Sequence, residues 1–207
     1  QPKDFLCTIG GSSHKSVSDA HPDLMVVEYS IGYLGSYAPY RVFESQAWKH
    51  YVYASQKIEN MRYFDTVIPI PFEKEEFPFR SEKEPFALYV GRLISRKGVG
   101  VACQAAQAAG IPLKIIGHGD KSLVTHGAEY LGALDYKARN EWMSRASCVL
   151  TPTQYIEPFN QVAVETQFCG TPVICTESGG LCETVENGKT GYHCNYLGEF
   201  AHAIKDA

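Results

Sequence analysis

The sequence predicts an α/β protein built on a parallel sheet, and three observations support this prediction. From residue 86 onward, short apolar segments alternate with segments of helical periodicity, and the connections between them are short. Glycine-containing turns follow several of the apolar segments, which is typical of strand ends that face a ligand site. The 207 residues are 44% hydrophobic and 20% charged, the composition of a globular chain that buries a core.

The first part of the chain reads as a smaller set of elements with less regular alternation. The residue pattern predicts strands at 4–9 and within 21–30, a loop at 31–40, a helix over 41–55 and a short strand within 64–72. The helix over 41–55 is predicted because its apolar residues recur near helical spacing.

The second part alternates regularly. Strands are predicted at 86–90, 113–117, 130–132, 147–152, 172–176 and 192–194, and helices at 97–110, 136–146, 160–170, near 181–186 and at the end of the chain. Gly110 and Gly170 serve as helix stop signals, and Asp135 is suited to cap the helix that follows it.

The segment 73–85 separates these two parts. It contains five glutamates and two prolines and has no periodicity, so we expect it to act as a linker. We therefore predict one domain over 1–79, which includes most of the linker, and a second over 80–207. Residue 1 is Gln and the last predicted helix runs to the final residue, so we expect this chain to be a piece of a longer protein.

Composition also excludes several classes of function. The net charge is −4, so we expect no nucleic acid as a partner. No apolar run approaches the roughly 20 residues of a membrane helix, and no secretory signal is visible. Seven cysteines without a C-x-x-C pair indicate reduced thiols, hence a cytoplasmic protein.

The first candidate site lies directly after the strand at 86–90, in the segment GRLISRKG. Gly91 ends the strand, and Arg92 and Lys97 follow it where a helix begins. Two cations beside a helix N-terminus are suited to bind a diphosphate. A solvated basic turn is the alternative that this spacing leaves open.

A second glycine turn, IIGHGD, follows the strand at 113–117. Gly117 and Gly119 would allow a ligand to approach the backbone, and His118 between them could contact it. The turn lacks the third glycine of a dinucleotide fingerprint. An ordinary surface histidine is the alternative.

The third candidate spans a loop and the start of a helix. Glu157 and Glu165 flank seven residues and lie on the order of 10 Å apart, which is too far to share a proton. With a helix N-terminus between them, they suit an extended ligand that is anionic in its middle, as a nucleotide sugar is. A capped helix with one solvated and one structural glutamate is the alternative.

The fourth segment, CGTPVICTESGGLCETVENGKTG at 169–191, contains a strand and a glycine loop ahead of Glu183. Motifs of several other enzyme classes are absent from the sequence: there is no D-x-D, H-E-x-x-H, G-x-S-x-G or G-x-x-x-x-G-K-[ST]. The four cysteines between 169 and 194 lack zinc-site spacing.

In this order, the four segments resemble the C-terminal domain of the retaining glycosyltransferases of family four, which have the GT-B fold. The resemblance covers about residues 86–195. It implies a Rossmann-like C-terminal domain, and residues 41–79 resemble the end of the N-terminal domain and the linker of such a protein.

The resemblance also implies roles for individual residues. Arg92 and Lys97 would bind the diphosphate and stabilise it as a leaving group, Glu165 would hold the ribose, and Glu157 would lie at the transferred sugar. Further donor contacts would come from Gly91, Gly117, His118 and Gly119 and from the backbone amides of Phe159, Asn160, Gln161 and Val162. The family usually has Gly at the position of Asn160.

The implied reaction is transfer of a hexose from a nucleoside-diphosphate sugar with retention, without a metal ion or other cofactor. The acceptor would be a carbohydrate, a lipid or a small molecule, and peripheral association with a membrane stays open. Gly10–Gly11 could serve an acceptor loop, and Glu28, Glu44 and His50 are polar candidates for the interdomain cleft, with Glu28 expected to end a strand.

Three alternatives stay open at this stage. A non-catalytic domain could bind nucleotide sugar without transferring it, and a disaccharide phosphorylase shares the same motifs. A nicotinamide-dependent oxidoreductase would rest on the G-x-G at 117–119 alone. It lacks the acidic residue expected at the end of the next strand.

Overall fold

The computed structural model describes residues 4–207, and the chain divides into two compact units, Gln1–Pro71 and Phe72–Ala207. Across the described residues, a parallel sheet of four strands lies in the first unit and one of six strands in the second. The predicted α/β class is confirmed. The division falls before the boundary that the sequence predicts between residues 79 and 80.

The first unit contains strands β1 to β4 in sheet order β1-β2-β3-β4, and every neighbouring pair is parallel. Its elements are β1 (Phe5–Thr8), α1 (Lys15–Asp19), β2 (Met25–Ile31), β3 (Tyr40–Phe43), α2 (Gln46–Ser55) and β4 (Asp65–Val67). The strands predicted within 4–9, 21–30 and 64–72 are confirmed.

The helix predicted over 41–55 is wrong at its start, because Tyr40–Phe43 is a strand between β2 and β4. The helix α2 begins only after Ser45, whose side chain accepts a hydrogen bond from Trp48 N. Arg41 is 1% exposed and pairs with Asp65 of the neighbouring strand. A buried charge with a distant partner is invisible to a periodicity pattern, which treats Arg as a surface residue.

The second unit alternates strands and helices as predicted. Its elements are β5 (Glu84–Val90), α3 (Val99–Ala109), β6 (Leu113–Ile116), β7 (Glu129–Gly132), α4 (Tyr136–Arg145), β8 (Ala146–Thr151), α5 (Gln161–Phe168), β9 (Val173–Thr176), α6 (Leu181–Thr184), β10 (Gly191–Cys194) and α7 (Leu197–Asp206). Gly110 ends α3 with φ 75°, and the Asp135 side chain caps α4 by accepting from Ala138 N, both as predicted.

Helices cover both faces of the second sheet. Alternate residues of β5 point to opposite faces: Tyr89 belongs to the cluster that contains α3 and α7, and Leu88 to the cluster that contains α4 and the end of α5. The strand order is β10-β9-β8-β5-β6-β7 and all pairs are parallel. The chain leaves β5 toward β6 on one side and later enters β8 on the other. The gap between β5 and β8 is therefore the topological switch point, where ligands of such sheets bind.

The predicted linker at 73–85 packs on the second unit. A 3-10 turn at Lys74–Glu76 precedes Phe77, which is 6% exposed and stacks on Phe168 with 5.3 Å between ring centroids. The strand β5 begins at Glu84, inside the predicted linker. Burial of one aromatic side chain contributes roughly 1.5–3 kcal/mol, which explains why this charged segment is held on the sheet domain.

Candidate functional site

The loop after β5 brings two of the predicted cations to the switch point. Tyr89 is the next-to-last residue of β5. It donates its hydroxyl to the backbone oxygens of Arg92 and Lys97, at 3.0 and 3.4 Å. The side chain of Leu93 is fully buried and anchors the loop. Arg92 itself is exposed, and its guanidinium makes no ion pair with any residue in 4–207.

Gly98 closes this loop and starts α3. Its φ is 75°, and a Cβ placed there would lie 1.8 Å from the backbone oxygen of Pro152. Only glycine fits this position without a shift of one of the two loops. The close approach brings the loop that carries Lys97 against the chain that leaves β8.

Lys97 meets Glu157 across the switch point. The lysine Nζ lies 2.8 Å from Oε2 and 3.1 Å from Oε1, and the two side chains are 18% and 7% exposed. Tyr155 donates its hydroxyl to Glu157 Oε1 at 2.9 Å, and its ring lies 5.3 Å from Lys97 Nζ. Burial raises the pKa of Tyr155, so its hydroxyl keeps its proton and donates at neutral pH. Two predicted catalytic residues are thus in direct contact.

The glycine turn at 117–119 lies beside the first loop. Leu93 N donates to the backbone oxygen of His118 at 2.8 Å, and Asp120 N donates back to that of Leu93 at 2.9 Å. A Cβ on Gly117 would lie 1.8 Å from Gly91 O, and one on Gly119 would lie 2.5 Å from Leu93 O. In this structure the glycines are therefore required by the close approach of the neighbouring loop. The sequence alone indicates the approach of a ligand as the reason instead. The side chain of His118 is exposed.

The segment from Glu157 to Glu165 begins as a loop and continues as α5. Phe159 is buried and stacks on Phe72, with 6.3 Å between ring centroids. Asn160 caps the helix in a left-handed conformation (φ 70°, ψ 80°), and its Oδ1 accepts from Ala163 N at 3.1 Å. Asparagine tolerates positive φ better than other non-glycine residues, which explains how Asn160 adopts this left-handed conformation.

The start of α5 follows this cap directly. Gln161 and Val162 are its first two residues, and the amides of the first turn of a helix have no partner within the helix. The positive end of the helix dipole therefore lies between Glu157 and Glu165, as the sequence predicts.

The glycine loop after β9 supports the segment that holds Glu157. Gly180 N donates to Glu157 O at 2.7 Å. A Cβ on Gly179 would lie 2.5 Å from Glu157 O, and one on Gly180 would lie 2.5 Å from Pro158 O. The fourth sequence segment therefore positions the third.

Glu165 is buried and lies against a residue that the sequence did not single out. Arg139 of α4 donates from Nη2 to Glu165 Oε2 at 2.8 Å, and the two side chains are 23% and 5% exposed. Burial raises the pKa of Glu165, and the charge and hydrogen bond of Arg139 act against that rise.

Tyr155 and Arg139 are the functional candidates that sequence reasoning missed. Tyr155 stands two residues before Glu157, where an aromatic hydroxyl next to a carboxylate was a usable signal. Arg139 is 26 residues from Glu165 on another helix, and its contact depends on how the two helices pack. No local pattern predicts that contact.

The polar candidates of the first unit have local partners. Glu28 lies inside β2 and not at its end, because the strand continues to Ile31. It is fully buried and accepts hydrogen bonds from Tyr33 Oη and from the backbone N of Tyr37 and Ala38. It therefore braces the loop after β2.

Glu44 accepts a hydrogen bond from Ser30, and His50 is exposed on α2. Gly10 and Gly11 both have positive φ, 95° and 66°, in the turn after β1. The structure gives these four residues no shared site. The acceptor-loop role of Gly10–Gly11 and the placement of Glu44 and His50 at an interdomain cleft stay predictions.

Among residues 4–207, no three His, Cys, Asp or Glu side chains are grouped so that they could hold a metal ion. Across the same residues, no helix combines the length and apolar character needed to cross a membrane.

Comparison with known proteins identifies the family of this chain. The family model described as "Glycosyl transferases group 1" matches residues 71–207. A glycogen synthase of Mycobacterium tuberculosis is 33% identical over 148 residues, which cover 62% of this chain and 36% of the relative. The chain thus spans about a third of the length of this curated relative.

Solved structures extend the likeness to the whole chain. A sucrose-phosphate synthase of Thermosynechococcus elongatus superposes with a TM-score of 0.82 at 20% identity, covering 98% of this chain and 63% of that one. HepE of Anabaena, solved with UDP and glucose, gives a TM-score of 0.80 at 17% identity, covering 97% and 67%. At these identities the superpositions show the fold, which is GT-B. Because the family model matches residues 71–207, about two thirds of the chain, the chain belongs to the group 1 glycosyltransferases of GT-B fold.

Proposed function

We propose that this protein transfers a hexose from a nucleoside-diphosphate sugar to an acceptor, with retention of configuration at the anomeric carbon. Family membership supports glycosyl transfer. The observation on which the rest depends is the contact between Lys97 and Glu157 at the switch point of the second sheet, 2.8 Å apart. A cation beside a carboxylate at this edge of the sheet supports binding of a diphosphate next to a sugar.

The diphosphate is assigned to the loop at 91–98 and the start of α5. Arg92 supplies an exposed guanidinium, and Lys97 supplies an ammonium that is already oriented by Glu157. The first turn of α5 adds backbone N–H groups and the positive end of the helix dipole. Because these groups offset the charge of the diphosphate, we propose that the reaction needs no metal ion.

The two glutamates are assigned to the two ends of the donor. Glu165 lies one turn inside α5, and its Oε1 accepts no hydrogen bond from any residue in 4–207, so we assign it to the ribose hydroxyls. Glu157 lies ahead of the helix beside Lys97, so we assign it to a hydroxyl of the transferred sugar.

The proposed transfer reaction uses these assignments of the diphosphate and the sugar. The bond between the anomeric carbon and the phosphate oxygen breaks while the acceptor oxygen bonds to the same face of that carbon. The acceptor proton passes to the departing phosphate oxygen. Arg92 and Lys97 stabilise the negative charge that develops on the diphosphate, the electrostatic contribution that is usually largest in such sites.

UDP is the first nucleotide to test, because HepE, of the same fold, was solved with UDP and glucose. We propose that the acceptor used by the whole protein is a carbohydrate, a lipid or a small molecule. We propose the cytoplasm as its compartment, supported by seven free thiols, five of them buried.

The experiment is a thermal-shift screen of the chain with UDP-, GDP- and ADP-sugars, with NAD and inorganic phosphate as controls. A bound ligand stabilises the folded state by RT ln(1 + [L]/Kd), so a nucleotide sugar at about 100 times its Kd adds about 2.7 kcal/mol. A shift with NAD alone contradicts the proposal. A shift with phosphate that equals the shift with every nucleotide sugar would favour a phosphorylase.

A further inference from the structure

The ion pair between Arg139 and Glu165 links two helices at the proposed ribose end of the site. Its single contact runs from Arg139 Nη2 to Glu165 Oε2, at 2.8 Å. The carboxylate is 5% exposed and the guanidinium 23%, so the pair lies below the surface. Buried pairs are costly to break from one side, since an unpaired charge then remains in the interior.

Arg139 is held in place by its own helix. The side chain of Asp135 caps α4 through Ala138 N, and Arg139 N donates to Asp135 O at 2.9 Å in the first turn. The guanidinium also lies over the ring of Tyr136, 4.9 Å from its centroid. The arginine therefore approaches Glu165 from a fixed direction.

Arg139 favours the ionised form of Glu165. Burial raises the pKa of its carboxyl, and Arg139 is the cation that opposes the rise. The other titratable groups that interact with it are Tyr136 of α4 and Cys169, which follows α5. Both have raised pKa values, about 12 for Cys169, so both are neutral near pH 7. Lys83 donates to the backbone oxygen of Cys169 at 3.2 Å.

The contact is one-sided, and this asymmetry has a consequence for a bound nucleotide. Arg139 occupies Oε2, whereas Oε1 accepts no hydrogen bond from any described residue. A carboxylate with one oxygen fixed by a cation presents the other in a set direction. An ionised oxygen in that position is a strong acceptor for a hydroxyl.

We propose that Arg139 is a positioning residue: it holds Glu165 through Oε2 so that Oε1 accepts from the ribose, and it thereby sets a preference for ribonucleotides over 2′-deoxyribonucleotides. This inference rests on the proposed function, because it takes Glu165 to be the ribose ligand.

The test measures UDP and 2′-deoxyUDP binding by calorimetric titration. Unmodified protein should bind UDP roughly tenfold or more tightly than 2′-deoxyUDP, because losing a hydrogen bond to a charged group costs that factor or more. Arg139→Met should reduce this preference to less than about threefold. Arg139→Lys, which keeps a cation, should restore part of it.

The matched control is Arg145→Met. Arg145 lies at the other end of α4, and its Nε donates to Glu84 at 2.6 Å. The substitution Arg145→Met therefore removes an arginine–glutamate pair from the same helix. It should leave the nucleotide preference unchanged. Urea unfolding of every variant separates lost binding from lost folding.

The pH profile distinguishes positioning from a merely structural role. Without Arg139, the pKa of Glu165 rises further, so the carboxyl is more protonated at neutral pH. The preference for UDP should then return as the pH is raised above that pKa. A variant that only distorts the site would lose UDP and 2′-deoxyUDP binding equally, without recovery at high pH, and this result would overturn the inference.

Comparison of Arg139→Met with Glu165→Ala, singly and combined, completes the test. If Glu165→Ala keeps the preference for UDP, the proposed ribose role of Glu165 fails, and the inference with it. If Glu165→Ala loses the preference but Arg139→Met keeps it, the inference alone is overturned. The double variant Arg139→Met/Glu165→Ala should show the same ratio of UDP to 2′-deoxyUDP affinity as Glu165→Ala alone. A further loss means that Arg139 contacts the nucleotide directly, which also overturns the positioning role.

Discussion

Lys97 donates to both carboxylate oxygens of Glu157, at 2.8 and 3.1 Å, although the two residues are 60 positions apart. They meet because β5 and β8 are neighbours in the sheet and their loops leave at the same edge. Tyr155 occupies Glu157 Oε1 as well. A diphosphate bound here would therefore share Lys97 with a carboxylate, whereas Arg92 would offer a cation that makes no ion pair with any described residue.

The first prediction concerns Lys97. Lys97→Met removes the ammonium and keeps the aliphatic stem, so it should weaken UDP binding about ten- to hundredfold and uridine binding far less. The reason is that a charge-assisted hydrogen bond to phosphate contributes about 1.5–3 kcal/mol. Calorimetric titration with both ligands measures the difference.

Lys189→Met is the control for this variant. Lys189 forms an exposed ion pair with Glu186, so its loss should change neither affinity. Equal losses of UDP and uridine binding in Lys97→Met would refute the diphosphate assignment.

The second prediction separates the two glutamates. Glu165→Ala should weaken every nucleotide ligand, with or without a sugar, because its proposed contact is with the ribose. Glu157→Ala should leave UDP binding intact, since it also releases Lys97, but it should lower turnover of the nucleotide sugar in the whole protein. Titration with UDP and transfer rates measure the two effects.

The orientation of the donor along residues 157–165 depends on this comparison. If Glu157→Ala abolishes UDP binding while Glu165→Ala leaves it unchanged, the ligand runs the other way. Glu186→Ala, at an exposed glutamate, is the control for surface charge.

The third prediction is that EDTA changes neither UDP binding nor transfer. The proposed site offsets the diphosphate charge with Arg92, Lys97 and the N-terminus of α5, so chelation removes nothing that it needs. Titrations with and without EDTA measure this. Activity that is lost with EDTA and restored by Mg²⁺ or Mn²⁺ would show that a metal ion takes part.

Local patterns were sufficient for most elements of the second unit. Its inner strands β5, β6, β8 and β9 are mostly buried and appear as largely apolar runs. Its helices carry their own signals, such as Asp135 at the start of α4 and Gly110 at the end of α3. In the first unit the strand at Tyr40–Phe43 contains Arg41, whose burial depends on Asp65 in β4. That partner is known only after the sheet has formed, so periodicity alone predicts a helix for this segment.

In the candidate site, too, some features follow from the sequence pattern and others only from packing. The positions of Lys97 after a strand, of Glu157 ahead of α5 and of Glu165 inside that helix follow from spacing. The partners Tyr155 and Arg139 follow from packing, and so does the reason for Gly117, whose missing Cβ makes room for Gly91 O. Spacing identifies which groups are available, whereas packing decides which of them are held, ionised or free.

The fourth prediction concerns Asn160, which combines a left-handed backbone with a helix cap. Asn160→Gly should change the free energy of unfolding by less than about 0.5 kcal/mol, because glycine accepts φ 70° and loses little as a cap. Asn160→Ala should destabilise by about 2 kcal/mol, since it loses the cap and keeps the strained φ. Urea unfolding measures both, and an Ala variant as stable as the Gly variant would show that neither effect operates.

The last prediction compares two glycines in the same short segment. Gly98→Ala should destabilise the protein by more than about 2 kcal/mol and weaken UDP binding. Alanine at φ 75° costs about 1–2 kcal/mol, and its Cβ would lie 1.8 Å from Pro152 O, so the loop that carries Lys97 must move. Gly100→Ala is the matched control, because Gly100 lies inside α3 and an added Cβ there meets no atom within 4 Å. It should stabilise the protein by about 0.5–1 kcal/mol, since alanine favours the helix, and leave UDP binding unchanged. Urea unfolding and UDP titration of both variants measure the contrast. If Gly98→Ala retained full stability and full UDP affinity, the close approach of the two loops would not be what holds Lys97 at Glu157.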